Sequence, residues 1–94
     1  MRLKPNEITI IKEAVAARDP QALVYLFGSR VDDTRQGGDI DLLIMSKTLG
    51  LMDKIRIRRA ITDQIGEQKI DILLANNPQA SAFVAHAIET GVPL

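Results

Sequence analysis

Cysteine is absent from the 94-residue chain, which excludes disulfide bonds and thiolate metal sites, and tryptophan is absent as well. Aromatic residues make up only 3% of the chain against 46% hydrophobic residues, so an interior has to be built from Ile, Leu, Val and Ala. That composition suits an α/β domain. An excess of one charge is also missing, because 12 Lys and Arg balance 12 Asp and Glu. No broad positive potential is available for generic attraction to a nucleic-acid backbone, and no direct nucleic-acid partner is implied. With no long apolar run and no signal-peptide pattern, neither a membrane nor export is implied, and a cytoplasmic location is the expectation. The length leads us to expect one small domain over residues 1–94 with a thin core.

What is present is a succession of helix and strand signals. Pro5-Asn6-Glu7 can open a helix whose Ile8, Ile11 and Val15 recur at helical spacing, and Arg18-Asp19-Pro20 closes it. Leu23 to Phe27 is short, apolar and bounded by a proline turn and Gly28, which reads as a buried strand. After a polar loop from Ser29 to Gly38, Asp39 to Met45 alternates and then turns fully apolar. A strand with one end at a site and the remainder buried has this pattern. Ile57, Ile61 and Ile65, interleaved with Lys and Arg, mark an amphipathic helix from Leu51 that Gly66 ends. A third strand spans Lys69 to Ala75. Asn76-Asn77-Pro78 then breaks the chain, and Ala80, Val84 and Ile88 share one face of a last helix stopped by Gly91 and Pro93.

The chemistry gathers at the strand ends. Asp39 and Asp41 are two apart in the second strand, so both carboxylates leave one face while Ile40 and Leu42 point into the opposite layer. Like charges held side by side raise each other's energy unless a cation sits between them, and hard oxygen ligands suit Mg²⁺. A half-exposed strand alternates in the same way, so the pair alone does not decide between a metal and a solvated edge. Phe27-Gly28-Ser29-Arg30 supplies context, because glycine lets backbone approach a ligand and a serine hydroxyl with nearby amides can hold phosphate oxygens. Asp71 lies between Ile70 and Ile72 and so faces away from the core those two fill. Beside Asp39 and Asp41 it could share a second metal and take the proton of an attacking hydroxyl; in another strand register it faces solvent. Lys54, Arg56, Arg58 and Arg59 form a basic cluster, either the solvated side of their helix or a partner-docking patch. His86, the single histidine, has no companion ligand in its helix and is assigned no chemistry.

Leu26-Phe27-Gly28-Ser29-Arg30, followed by Gly38-Asp39-Ile40-Asp41-Leu42-Leu43-Ile44, resembles the signature of the minimal nucleotidyltransferases in the DNA polymerase β superfamily. The likeness runs nearly end to end. It implies an α/β (α+β) core, a mixed three-stranded sheet flanked by about four helices. It also implies that Gly28 and Ser29 hold triphosphate oxygens, that Asp39 and Asp41 bind two Mg²⁺ ions, and that Asp71 occupies the third acidic position. A nucleoside triphosphate is then the co-substrate, with ATP the expectation, although no residue selects ATP over other triphosphates. Arg30 would either neutralise the departing pyrophosphate or serve in a structural ion pair. Many members place a serine directly before the first aspartate and a small residue then glycine after the arginine, where this chain has Gly38, Val31 and Asp32. The contacts from Arg30 to Gly38, including any of Arg30 and Arg35 to nucleotide, are therefore left open.

The same resemblance implies a partner. Chains of this size in the family are commonly encoded with a small helical HEPN-type toxin, and larger relatives carry an added helical domain that this length does not accommodate. The partner itself would then be the substrate, receiving AMP from ATP on a side-chain hydroxyl, a tyrosine, with this chain as antitoxin. Two alternatives stand beside it. One is nucleotidyl transfer to a small hydroxyl compound such as an aminoglycoside, with dimerisation supplying the missing wall. The other is a non-catalytic antitoxin that covers its partner's active site. Both homo- and hetero-oligomers are compatible with these readings.

Overall fold

The computed structural model describes residues 3–31 and 39–94, with only the backbone of Ser29. Among the described residues the order is α1 (Pro5–Ala16), β1 (Leu23–Phe27), a 3₁₀ turn (Gly28–Val31), β2 (Ile40–Met45), α2 (Leu51–Ile65), β3 (Ile70–Ala75), α3 (Ala82–Thr90) and β4 (Val92–Pro93). No helix among them is long and apolar enough to cross a membrane.

Each helix boundary has a local cause. Pro5, which needs no backbone donor, opens α1, and Glu7 reaches back to accept the Lys4 amide at 2.8 Å. Asp53 does the same for Gly50 at 3.0 Å at the start of α2, and Gly66 ends that helix with φ +89°. Ser81 caps α3 by accepting the Val84 amide at 3.1 Å.

The sheet order is β3-β2-β1-β4. β1 and β2 are antiparallel, whereas β2 and β3, joined through α2, are parallel. The alternation of each strand assigns its two faces. Val24, Leu26, Ile40, Leu42, Ile44, Ile70 and Ile72 meet Ile11 and Val15 of α1 and Ile57 and Ile61 of α2. On the other face Leu43 and Ala75 meet Val84 and Ala87 of α3. β2 is thus buried on both faces beyond Asp41, as its apolar run requires.

The expected class holds, with three corrections. The sheet has a fourth strand, because Val92 and Pro93 run along β1 and Leu94 donates to the Val24 carbonyl at 2.9 Å. Two residues carry no periodicity that a sequence reading could use. The flanking helices among the described residues are three α-helices and a 3₁₀ turn. Asp39 and Lys69 lie just outside β2 and β3, although the Lys69 carbonyl still accepts the Ile40 amide at 3.0 Å.

Candidate active site

The register of the parallel pair brings two of the three acidic side chains together. Asp41 stands opposite Asp71, and both lie on the face that α3 covers further along the strands. Their carboxyl groups lie close enough for Asp71 to act on Asp41. Burial pushes the Asp41 carboxyl above its ordinary value, and the charges of Asp71 and Asp39 push it further, while Lys69 pulls it back. The side chain is therefore held in an arrangement that disfavours its own charge. A structure that stores such repulsion is a functional-site candidate.

Asp39 is near enough to be felt by Asp41, but its nearest charged partner is Lys69, with Nζ 3.5 Å from Oδ2. Both side chains of that pair are largely in water, so the contact is weak and easily exchanged. The tight carboxyl pair is thus Asp41 with Asp71, across two strands, and not Asp39 with Asp41 along one. Among the described residues no three acidic or histidine side chains stand as a preassembled ligand cluster. The donor set nevertheless fits a hard divalent cation, because carboxyl oxygens that crowd one another are relieved by a positive ion between them.

Gly28 forms the third wall. Phe27, the last residue of β1, is opposite Asp41, so the turn that follows begins beside the carboxyl group. Gly28 has φ +76°, and a Cβ there would fall on Asp41 Oδ2. Only glycine meets both demands. Ser29 follows in the turn, and its side chain lies outside the described atoms, as do Arg35, Gly38 and the rest of 32–38. Arg30 is half-buried and donates from Nη2 to Gln68 Oε1 at 3.2 Å, which ties the turn to the segment preceding β3.

The chain from α1 to its C-terminus matches the family model for polymerase beta nucleotidyltransferases, over residues 9–94. The chain belongs to this nucleotidyltransferase family. Comparison with curated proteins returns no match. Within the nucleotidyltransferase domain, the acidic pair and the Gly28 turn lie at one end of the sheet. A depression of about 700 Å³ lies at the other end around Asp19, Ser46 and Thr48. There Asp19 accepts from Ser46 Oγ at 2.5 Å and from the Gln21 amide at 2.9 Å, fastening the α1–β1 turn to the segment after β2. These bonds hold the Asp19 carboxyl below its ordinary value, with Ser46 the main cause.

One residue departs from the sequence reading, and a second gains a neighbour that the reading did not give it. Arg58 leaves the solvated basic cluster, because its Nε donates to the Ile70 carbonyl at 3.1 Å and covers part of the β3 edge. His86 is exposed, as a surface histidine would be, and with Phe83 it lines a cleft of about 450 Å³ that also touches Gly28, so it borders the candidate site. The signal available was Phe83, His86, Ala87 and Thr90 at helical spacing, which alone does not say what the stripe faces.

Proposed function

We propose that this nucleotidyltransferase moves AMP from ATP onto a tyrosine hydroxyl of a helical HEPN-type toxin partner and so acts as its antitoxin. The observation that carries the transferase chemistry is the Asp41–Asp71 pair against Gly28, where a triphosphate and a hydroxyl can meet. In this reading Gly28 and Ser29 receive triphosphate oxygens, with Gly28 allowing close backbone approach. Asp71 takes the proton of the attacking hydroxyl. The hydroxyl oxygen forms a bond to the α-phosphorus, the bridging α–β P–O bond breaks, and pyrophosphate leaves with the electron pair. Asp39, Asp41 and Asp71 would hold Mg²⁺, which when bound supplies the positive charge that offsets the triphosphate. In the same reading Arg30, which donates to Gln68, would add positive charge for the departing pyrophosphate.

The partner part of the proposal rests on the likeness to minimal nucleotidyltransferases. The test is incubation with α-labelled ATP, Mg²⁺ and the product of the neighbouring gene. Label on a tyrosine of that protein, lost in Asp39→Asn/Asp41→Asn, is the expected result. Label on a small hydroxyl compound alone would move the acceptor to that class. Undiminished inhibition of the partner by the double variant, with no label transferred by the wild type, would leave a binding-only antitoxin.

A further inference from the structure

The cleft beside Gly28 has a composition unlike the acidic pair it adjoins. One wall is the stripe Phe83, His86, Ala87 and Thr90 of α3. The floor is Phe27, Gly28 and Val31, the end of β1 and both ends of the turn. Its volume, about 450 Å³, falls in the range of small-ligand sites, and its lining is mainly apolar with His86 and Thr90 as polar groups. Phe83 is the conspicuous member. Its ring lies edge-on to Phe27, with centroids 5.7 Å apart and planes at 82°, yet the residue keeps 57% of its surface in water. The T-shaped contact orients the ring while leaving aromatic surface uncovered, an arrangement suited to stacking a flat group.

Position across the sheet says which flat group. In the strand order, Asp71 on β3 and Gly28 after β1 lie on opposite sides of Asp41. An acceptor whose proton goes to Asp71 approaches from the β3 side. The nucleotide, with its phosphates at the Gly28 turn, is left with the β1 side, where the cleft opens. Resting on the nucleotidyl-transfer reading, we propose that this cleft seats the nucleobase of the nucleoside triphosphate, with Phe83 as its stacking surface. The lining offers van der Waals contact to any base, while His86 and Thr90 are within the cleft to meet the polar ring edge.

The experiment compares ATP with inorganic tripolyphosphate, each with Mg²⁺, by calorimetric titration. Phe83→Ala is expected to weaken ATP binding by about tenfold and to leave tripolyphosphate unchanged, because stacking acts only on the base. Phe83→Leu keeps an apolar contact on Phe27, and the same loss is expected, which separates stacking from altered folding. Phe83→Trp introduces the sole tryptophan of the chain, and ATP but not tripolyphosphate should quench its emission while affinity is kept. ATP affinity unchanged in Phe83→Ala and Phe83→Leu, or an equal loss for both ligands, overturns the proposal. So does a defect confined to the KM of the acceptor, which would give the cleft to the acceptor instead. A wild-type protein that binds neither ligand would sink the nucleotide site itself, an outcome distinct from a base-specific failure.

Discussion

Asp41 on β2 and Asp71 on β3 are register partners of a parallel strand pair, and their carboxyl groups meet beside a glycine that cannot carry a side chain. Most of the expected behaviour follows from the repulsion stored there.

Because burial and its acidic neighbours raise the Asp41 carboxyl, the folded protein penalises the charged form. That cost is full above the folded value and disappears as pH falls below the unfolded value of about 3.9, so Asp41 opposes folding at neutral pH. Asp41→Asn should therefore raise Tm by a few degrees at pH 7 without divalent ions while reducing nucleotidyl transfer by about 10²-fold or more. Thermal melts and label transfer on the same preparation check both; a Tm that falls would mean the pair is not repulsive.

Divalent ions and protons should compete for these oxygens. The increase in Tm on adding Mg²⁺ is expected to be small near pH 5 and larger at pH 7, with chelation restoring the metal-free melt. Calorimetry in buffers of different ionisation enthalpy should detect protons released on binding. Stabilisation that weakens toward pH 7 would contradict the assignment.

Gly28 and Gly66 both have positive φ, but only Gly28 has a neighbour where a Cβ would stand. Gly66→Ala should cost about 1 kcal/mol from backbone strain alone. Gly28→Ala should cost more, about 2–3 kcal/mol, since the new methyl also displaces Asp41. Urea melts of Gly28→Ala, Asp41→Ala and the double variant give the coupling, expected to be at least about 0.5 kcal/mol in favour of the double variant. Additive effects would show that the crowding is not with that carboxyl group.

At the other end of the sheet, hydrogen bonds from Ser46, the Gln21 amide and Thr48 depress the Asp19 carboxyl. A depressed group contributes stability above its unfolded value, about 3.9, and that contribution is lost as pH falls through the folded value. Asp19→Asn should lower Tm at pH 7 and flatten its fall below about pH 4, so that the two melts converge in acid. Parallel curves across that range would remove Asp19 from the acid response.

Central packing should dominate global stability. Leu43 is fully buried between α3 and its own strand, so Leu43→Ala is expected to cost about 2–5 kcal/mol. Leu23, exposed over 58% of its surface, should tolerate the same change within about 0.5 kcal/mol in chemical denaturation.

Local signals carried the element boundaries. β1 runs from Leu23 to Phe27 and α2 from Leu51 to Ile65, as a turn proline, glycines and an Ile stripe at helical spacing had indicated. β4 escaped because two residues have no period, and Gly91, expected only as a helix stop, is also packed where a Cβ would fall on the carbonyl oxygens of Ala87 and Leu26.

Sequence alone determined which chemistry-bearing residues exist and on which strands: a Gly-Ser turn after β1, acidic residues at the starts of β2 and β3, and an apolar remainder that forces β2 inside. Tertiary structure decided which carboxyl groups meet, since pairing register belongs to two strands at once and is set by the packing of α2 against the sheet. It also decided that Phe83 and His86 border the site, because the direction in which α3 crosses β1 is written in no local period.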